Sequence, residues 1–142
     1  PLVKFSMGII GFKSRTVIRN TICGMLALPD DIDNDVSLAG YYEPLENGAD
    51  RAYLAFMTSF DRVRERLGFY QETLRGSRTP AIIIWGGLDD TLVGVEAIPL
   101  FAEDLDIPPA NIFLRNDAKH LVMEEIPQFI VDRILLFVPL SS

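Results

Sequence analysis

A continuous apolar run, Ala81-Ile82-Ile83-Ile84-Trp85, follows Thr79-Pro80 and is closed by Gly86-Gly87. Most of its residues are β-branched, and no polar residue alternates with them. Such a run is typical of a strand that is buried on both faces, as in a parallel sheet. A shorter segment, Asn111-Ile112-Phe113-Leu114-Arg115, predicts a second strand.

The segments that follow the two strands have the composition of helices. We expect one helix from Val95 to Leu105 and another from Pro127 to Val138, since proline suits the first helical position. A strand, a helix, a strand and a helix in this order predict a parallel sheet covered by helices. Residues 79–142 are therefore assigned to the α/β class.

Residues 1–78 are expected to be helical and to form a region of their own. Asn47-Gly48 marks a turn within it. From residue 49 to residue 74, apolar side chains recur every three or four positions, which predicts an amphipathic helix broken near Gly68. The predicted domain boundary lies between residues 78 and 79.

The charge and the cysteine content exclude several classes of partner. A formal net charge of −7 leaves no basic stripe to neutralise phosphates, so neither nucleic acid nor an anionic membrane surface is expected. Cys23 is the only cysteine, so it forms no internal disulfide and gives no zinc-ligand spacing. No uncharged apolar stretch is long enough to span a bilayer, and no signal-peptide pattern is present. We expect a cytoplasmic chain with no metal and no organic cofactor.

Two side chains with complementary proton chemistry follow the two predicted strands. Asp89 comes after the first strand, and His120, the only histidine, comes after the second. Because the carboxyl ends of parallel strands meet at one rim of a sheet, the two side chains are expected to meet there. Histidine exchanges a proton near neutral pH, and a carboxylate on one ring nitrogen fixes its tautomer. A structural histidine and a simple Asp-Asp turn remain the alternative interpretations at this stage.

Two segments resemble the α/β-hydrolase family. Residues 79–90 are similar to the family's Pro-led strand that runs into Gly-x-x-Asp, and residues 116–127 resemble its Asp-Ala-Gly-His segment followed by Glu and Pro. The resemblance implies the C-terminal part of that fold, namely its last two parallel strands with flanking helices. It makes His120 the general base and Asp89 its acid, with Asp90 as second choice. Lys119 stands where the family often has glycine.

A looser resemblance covers residues 37–60, which look like the cap helices of the haloalkane dehalogenase and epoxide hydrolase branch. It implies that residues 1–78 form a helical cap over an apolar pocket for a small haloalkane, epoxide or ester. Under this interpretation Phe56, Val93 and Leu121 are candidate lining residues, and the simpler alternative is that each is a core residue.

Two departures separate the chain from specific members of that branch. The only tryptophan, Trp85, lies in the predicted strand, so no cap tryptophan is available to hold a halide. The position of the ring-opening tyrosine of epoxide hydrolases falls near Met57-Thr58, and Tyr53 is close to it but not aligned. The resemblance therefore leaves the substrate open among the three chemical classes.

The nucleophile of a hydrolase triad is not evident in the sequence. A nucleophile elbow needs a strand and small flanking residues, and its nearest echo, Lys4-Phe5-Ser6-Met7-Gly8, has Lys4 where a small residue is required. We expect the chain alone to have little or no hydrolase activity, and to need a missing N-terminal half or a second copy of itself. The alternative is a truncated or diverged, non-catalytic module that acts in binding or assembly.

Overall fold

The computed structural model describes residues 14–31, 35–91 and 94–138. Spatial contacts divide the chain into two compact units. The first unit contains the residues up to 24 and residues 29–68, and the second contains residues 25–28 and the residues from 69 onwards. The boundary between the units lies after Gly68, ten residues before the predicted one, and the short segment 25–28 belongs to the second unit.

The first unit is helical. Its small core consists of Ile18, Leu38 and Tyr42, which are buried and pack against partly buried neighbours. The Arg15 guanidinium lies over the Tyr42 ring and donates to the Glu46 carboxylate at 2.7 Å. These contacts join the start of the first helix to residues 42–46. The helices are α1 (Arg15–Gly24), α2 (Asp35–Pro44), α3 (Asp50–Thr58), α4 (Phe60–Glu65) and the start of α5 (Leu67–Arg75).

The predicted turn at Asn47-Gly48 is present, as a kink in the segment Leu45–Ala49. Gly48 has a φ of 101°, a left-handed backbone conformation that a residue with a Cβ adopts only with strain. The predicted break near Gly68 is found at Arg66, between α4 and α5, and a second break at Ser59 was not predicted. At Ser59 both the amide and the hydroxyl donate to the Phe56 carbonyl, at 2.9 and 2.7 Å, and this local bonding competes with helix continuation.

The second unit contains a two-stranded parallel sheet, made of β1 (Ile83–Gly86) and β2 (Ile112–Arg115). Both strands start later than predicted, because only these residues are in register, from Ile83 opposite Ile112 to Gly86 opposite Arg115. The prediction that the first strand is fully buried is wrong, since its central residues are only half-buried.

Helices cover both faces of this sheet. Trp85 packs against Phe101 of α6 (Ala97–Asp104) with ring centroids 6.4 Å apart. The remaining helices are α7 (Val122–Glu125) and α8 (Pro127–Phe137). Phe113, which points to the opposite face because strand side chains alternate, packs edge-on against Phe129 of α8, with ring centroids 6.1 Å apart. The described chain is thus mostly helical with a small parallel sheet, an arrangement compatible with the α/β class.

Candidate functional site

His120 and Asp89 meet at the carboxyl-end rim of the sheet. Asp89 follows β1 by three residues and His120 follows β2 by five, so each is carried on a short loop beyond its strand. The imidazole Nδ1 lies 2.9 Å from Asp89 Oδ2. The contact expected from the topology is therefore present, and Asp89 rather than Asp90 makes it.

Four hydrogen bonds hold the Asp89 carboxylate in place. Oδ1 accepts from the Thr91 amide at 3.0 Å and from the Thr91 hydroxyl at 2.7 Å. Oδ2 accepts from Trp85 Nε1 at 3.1 Å as well as facing the imidazole. Only 2% of the Asp89 side chain is exposed, so these donors replace the water that the carboxylate loses. The carboxylate has no freedom to turn away from His120.

The same contacts decide the ionisation of Asp89. Burial raises the pKa of the carboxyl, but the hydrogen bonds from His120 and Thr91 and the charge of the imidazolium outweigh it, so the pKa lies below its usual value. Asp89 is therefore an ionised acceptor at neutral pH.

An ionised Asp89 fixes which ring nitrogen of His120 carries the proton. A carboxylate only accepts, so Nδ1 donates and Nε2 of the neutral ring keeps a free lone pair. The His120 side chain is 35% exposed, and no residue of the ranges 14–31, 35–91 and 94–138 bonds Nε2. A free Nε2 on a carboxylate-oriented imidazole is the arrangement of a general base.

Thr91 is the member of this cluster that the sequence analysis missed. Its hydroxyl lies 2.9 Å from His120 Nδ1 in addition to bonding Asp89. The available signal was the Asp-x-Thr spacing, because an Asp side chain commonly accepts from the backbone two residues on. That spacing predicts the local turn but not the contact with a histidine 29 residues away.

The loop that carries His120 is held by a second carboxylate, which the sequence analysis also missed. Glu125 accepts from the amides of Lys119 at 2.6 Å and Ala27 at 2.5 Å, and more weakly from Leu28 at 3.3 Å. The Met25 carbonyl accepts the His120 amide at 3.0 Å. Segment 25–28 is therefore fastened to the histidine loop by its backbone.

A close backbone approach explains Gly86 at the end of β1. A Cβ on this residue would lie 1.7 Å from the Lys119 carbonyl oxygen and 2.7 Å from that of Ala118. Lys119 itself adopts no left-handed conformation, since Asp106 is the one non-glycine residue with positive φ in the described part of the chain. Lys119 is thus accommodated without backbone strain, and the glycine that the close approach of the loop requires is Gly86.

A cavity of about 170 Å³ opens beside the His120–Asp89 pair. Cavities of roughly 150 Å³ in proteins hold molecules the size of benzene, so this cavity has room for a small apolar group. Of the three candidate lining residues, Phe56 lies in the first unit with its ring against Phe60, and Val93 is outside the described residues. Leu121 does not line the cavity, whereas its neighbour Val122 does. The cavity is lined by Ile84, Trp85, Gly86, Asp89, His120 and Val122.

No family model, curated protein or solved structure matches the chain. The interpretation of the site therefore depends on the chemistry of its own residues.

The other candidate residues do not join the site. Asp90 is largely exposed and pairs with Lys119 at 2.9 Å. Ser6 lies outside the described residues. Within 14–31, 35–91 and 94–138, no three His, Cys, Asp or Glu side chains are grouped to hold a metal ion. None of the helices in those ranges is long and apolar enough to cross a bilayer.

Proposed function

We propose that the chain supplies the base and the acid of an α/β-hydrolase-type active site that acts on a small apolar haloalkane, epoxide or ester. The observation that carries the proposal is the Nδ1–Oδ2 contact of 2.9 Å beside a small cavity. The resemblance of residues 79–90 and 116–127 to the family's acid and histidine segments supports it. The cap role, which the resemblance gives to residues 1–78, belongs in this proposal to the helical first unit, residues up to 24 and 29–68.

In the proposed reaction, His120 Nε2 removes a proton from water and Asp89 stabilises the imidazolium that forms. In the cap-bearing branch an aspartate nucleophile forms an ester with the substrate, and the activated water cleaves it. His120 and Asp89 of this chain act in the second step, the cleavage of that ester by water. In this proposal the nucleophile comes from residues not in this chain, because its sequence has no Gly-x-Ser-x-Gly pattern or aspartate equivalent.

The size and the lining of the cavity support a small apolar substrate. Trp85 and Val122 contribute hydrocarbon surface, while Asp89 is already saturated by four donors. A polar ligand finds no unused acceptor on Asp89, so a ligand gains mainly from burying its own apolar surface.

Ligand binding is testable in the chain itself, because its single tryptophan lines the cavity. Titration with a chloroalkane, an epoxide and a short ester should change Trp85 fluorescence saturably. Val122→Phe should abolish the change by filling the cavity, whereas Val131→Phe, at a half-exposed position on α8, should not. A response that survives Val122→Phe would place the ligand elsewhere and remove the substrate class from the proposal.

Catalysis is tested by adding a fragment that carries the N-terminal strands and nucleophile elbow of an α/β-hydrolase. Turnover should then appear and fall roughly 10⁴-fold in Asp89→Ala, as when a triad carboxylate is lost. Asp90→Ala is the matched control and should retain activity. Unchanged turnover in Asp89→Ala would remove Asp89 from the mechanism.

A non-catalytic role in assembly is the second candidate, and the exposed apolar surface of α8 favours it. Leu135 and Leu136 are 55% and 77% exposed, and Val131 and Ile134 are about half exposed. Side chains of this kind on one helix are typical of a surface that another chain covers. Light scattering tests this candidate: association that increases with concentration supports it, and a monomer at every concentration counts against it.

A further inference from the structure

Thr91 makes three polar contacts that join the two loops of the site. Its hydroxyl oxygen lies 2.7 Å from Asp89 Oδ1 and 2.9 Å from His120 Nδ1, and its amide donates to the same Oδ1 at 3.0 Å. The amide contact alone completes the local turn after Asp89. The hydroxyl contact to a histidine 29 residues away is not required by that turn, so it needs a separate explanation.

The number of available protons decides which of its two contacts the Thr91 hydroxyl donates to and which it accepts from. A threonine hydroxyl has one proton to donate and lone pairs to accept with. Oδ1 of an ionised carboxylate is only an acceptor, so the hydroxyl proton points to Asp89. The oxygen then presents a lone pair to Nδ1, and that nitrogen must carry a proton for the contact to be favourable.

We infer that Thr91 is a positioning residue that, together with Asp89, holds His120 in the Nδ1–H tautomer by offering that N–H a second acceptor at the same distance. Both acceptors lie 2.9 Å from Nδ1, on residues 89 and 91 of one loop. The ring is thus held from two directions, which opposes rotation about its χ angles. Nε2 keeps its lone pair as a result.

This inference deepens the proposed function. It rests on that function only in treating the His120 imidazole as the general base. The tautomer is measured directly and not through turnover. A correctly held imidazole without any hydrolase activity would therefore remove the proposed function and leave the role of Thr91 standing.

The experiment uses nitrogen-15 and proton spectra of the imidazole, whose signals are unambiguous because the chain has one histidine. Spectra are recorded at about pH 8.5, roughly two units above the ordinary histidine pKa. The wild-type spectrum should show a protonated Nδ1 and an unprotonated Nε2. The second readout is the rate at which the Nδ1 proton exchanges with water.

Thr91→Val keeps the shape of the side chain and the amide donor but removes the hydroxyl. A hydrogen bond of ordinary net strength changes an equilibrium constant about two- to twelvefold, so exchange of the Nδ1 proton should become faster by that factor. Thr91→Ser keeps the hydroxyl and should restore the wild-type rate. Thr73→Val is the matched control, because it removes a hydroxyl that bonds only a helix carbonyl, and it should leave the imidazole unchanged.

Thr91→Ala compared with Thr91→Ser carries the same test if the valine variant does not fold. A wild-type imidazole protonated at Nε2 overturns the inference. So does an Nδ1 proton that exchanges too fast to observe, since two acceptors should protect it. Equal exchange rates in the variants with and without the hydroxyl also overturn it.

Discussion

Replacing Glu125 by alanine removes the carboxylate that fastens segment 25–28 to the histidine loop. Two short hydrogen bonds are lost, from the Ala27 amide at 2.5 Å and the Lys119 amide at 2.6 Å, with a weaker one from Leu28 at 3.3 Å. A hydrogen bond to a charged group is worth about 1.5–3 kcal/mol, which sets a ceiling of roughly 3–6 kcal/mol for the two strong bonds.

The expected loss is smaller than this ceiling because Glu125 is only partly buried and Leu28 is exposed. Water can satisfy part of what the carboxylate leaves, so we expect the free energy of unfolding to fall by about 2–4 kcal/mol. The His120 amide, which bonds the Met25 carbonyl at 3.0 Å, should lose protection from hydrogen exchange at the same time.

Urea unfolding followed by Trp85 fluorescence measures the stability, and amide exchange measures the loop. Glu103→Ala is the matched control, since Glu103 is an exposed glutamate on α6 of the same unit. If Glu125→Ala unfolds within about 0.5 kcal/mol of the control, the range of ordinary surface substitutions, the carboxylate does not hold the loop.

Three further outcomes are expected. Gly86→Ala should lower the free energy of unfolding by about 3 kcal/mol or more, because its Cβ would lie 1.7 Å from the Lys119 carbonyl oxygen. Gly68→Ala, in α5, should raise the free energy of unfolding by about 0.5–1 kcal/mol. Urea unfolding measures both variants. The pKa of Asp89 is lower in the folded chain, so its contribution to stability is complete above its unfolded pKa of about 3.9 and disappears as the pH falls through the lowered folded value. The free energy of unfolding of the wild type should therefore fall with pH in this acidic range, and Asp89→Asn should lose that part of the dependence. The chain alone should turn over no ester, epoxide or haloalkane, and turnover that His120→Ala abolishes would contradict this.

The strands and the rim contact were accessible from the sequence because they depend on local composition and on a general rule of parallel sheets. The β-branched run around Ile83 and Ile84 indicated a strand, and the loops after two parallel strands brought Asp89 and His120 together. The strand limits were not accessible, since pairing with β2 sets the first residue at Ile83.

The supports of the site could not be predicted because they join groups that are far apart in the sequence. Glu125 reaches amides 97 and 98 residues earlier, and no local pattern specifies such a contact. The break at Ser59 depends on how one hydroxyl competes for the Phe56 carbonyl, which a periodicity of apolar residues does not record. Gly86 was identified as a strand end, but its close approach to Lys119 requires the folded loop.

The pairing of one imidazole with one carboxylate is the claim on which the interpretation of this chain depends. The nitrogen-15 spectrum of His120 tests it most directly when Asp89→Asn is compared with Asp90→Asn, which changes the adjacent, exposed carboxylate. We predict that Asp89→Asn moves the Nδ1 signal and that Asp90→Asn leaves it at the wild-type position. Identical imidazole spectra in wild type and Asp89→Asn would contradict the pairing.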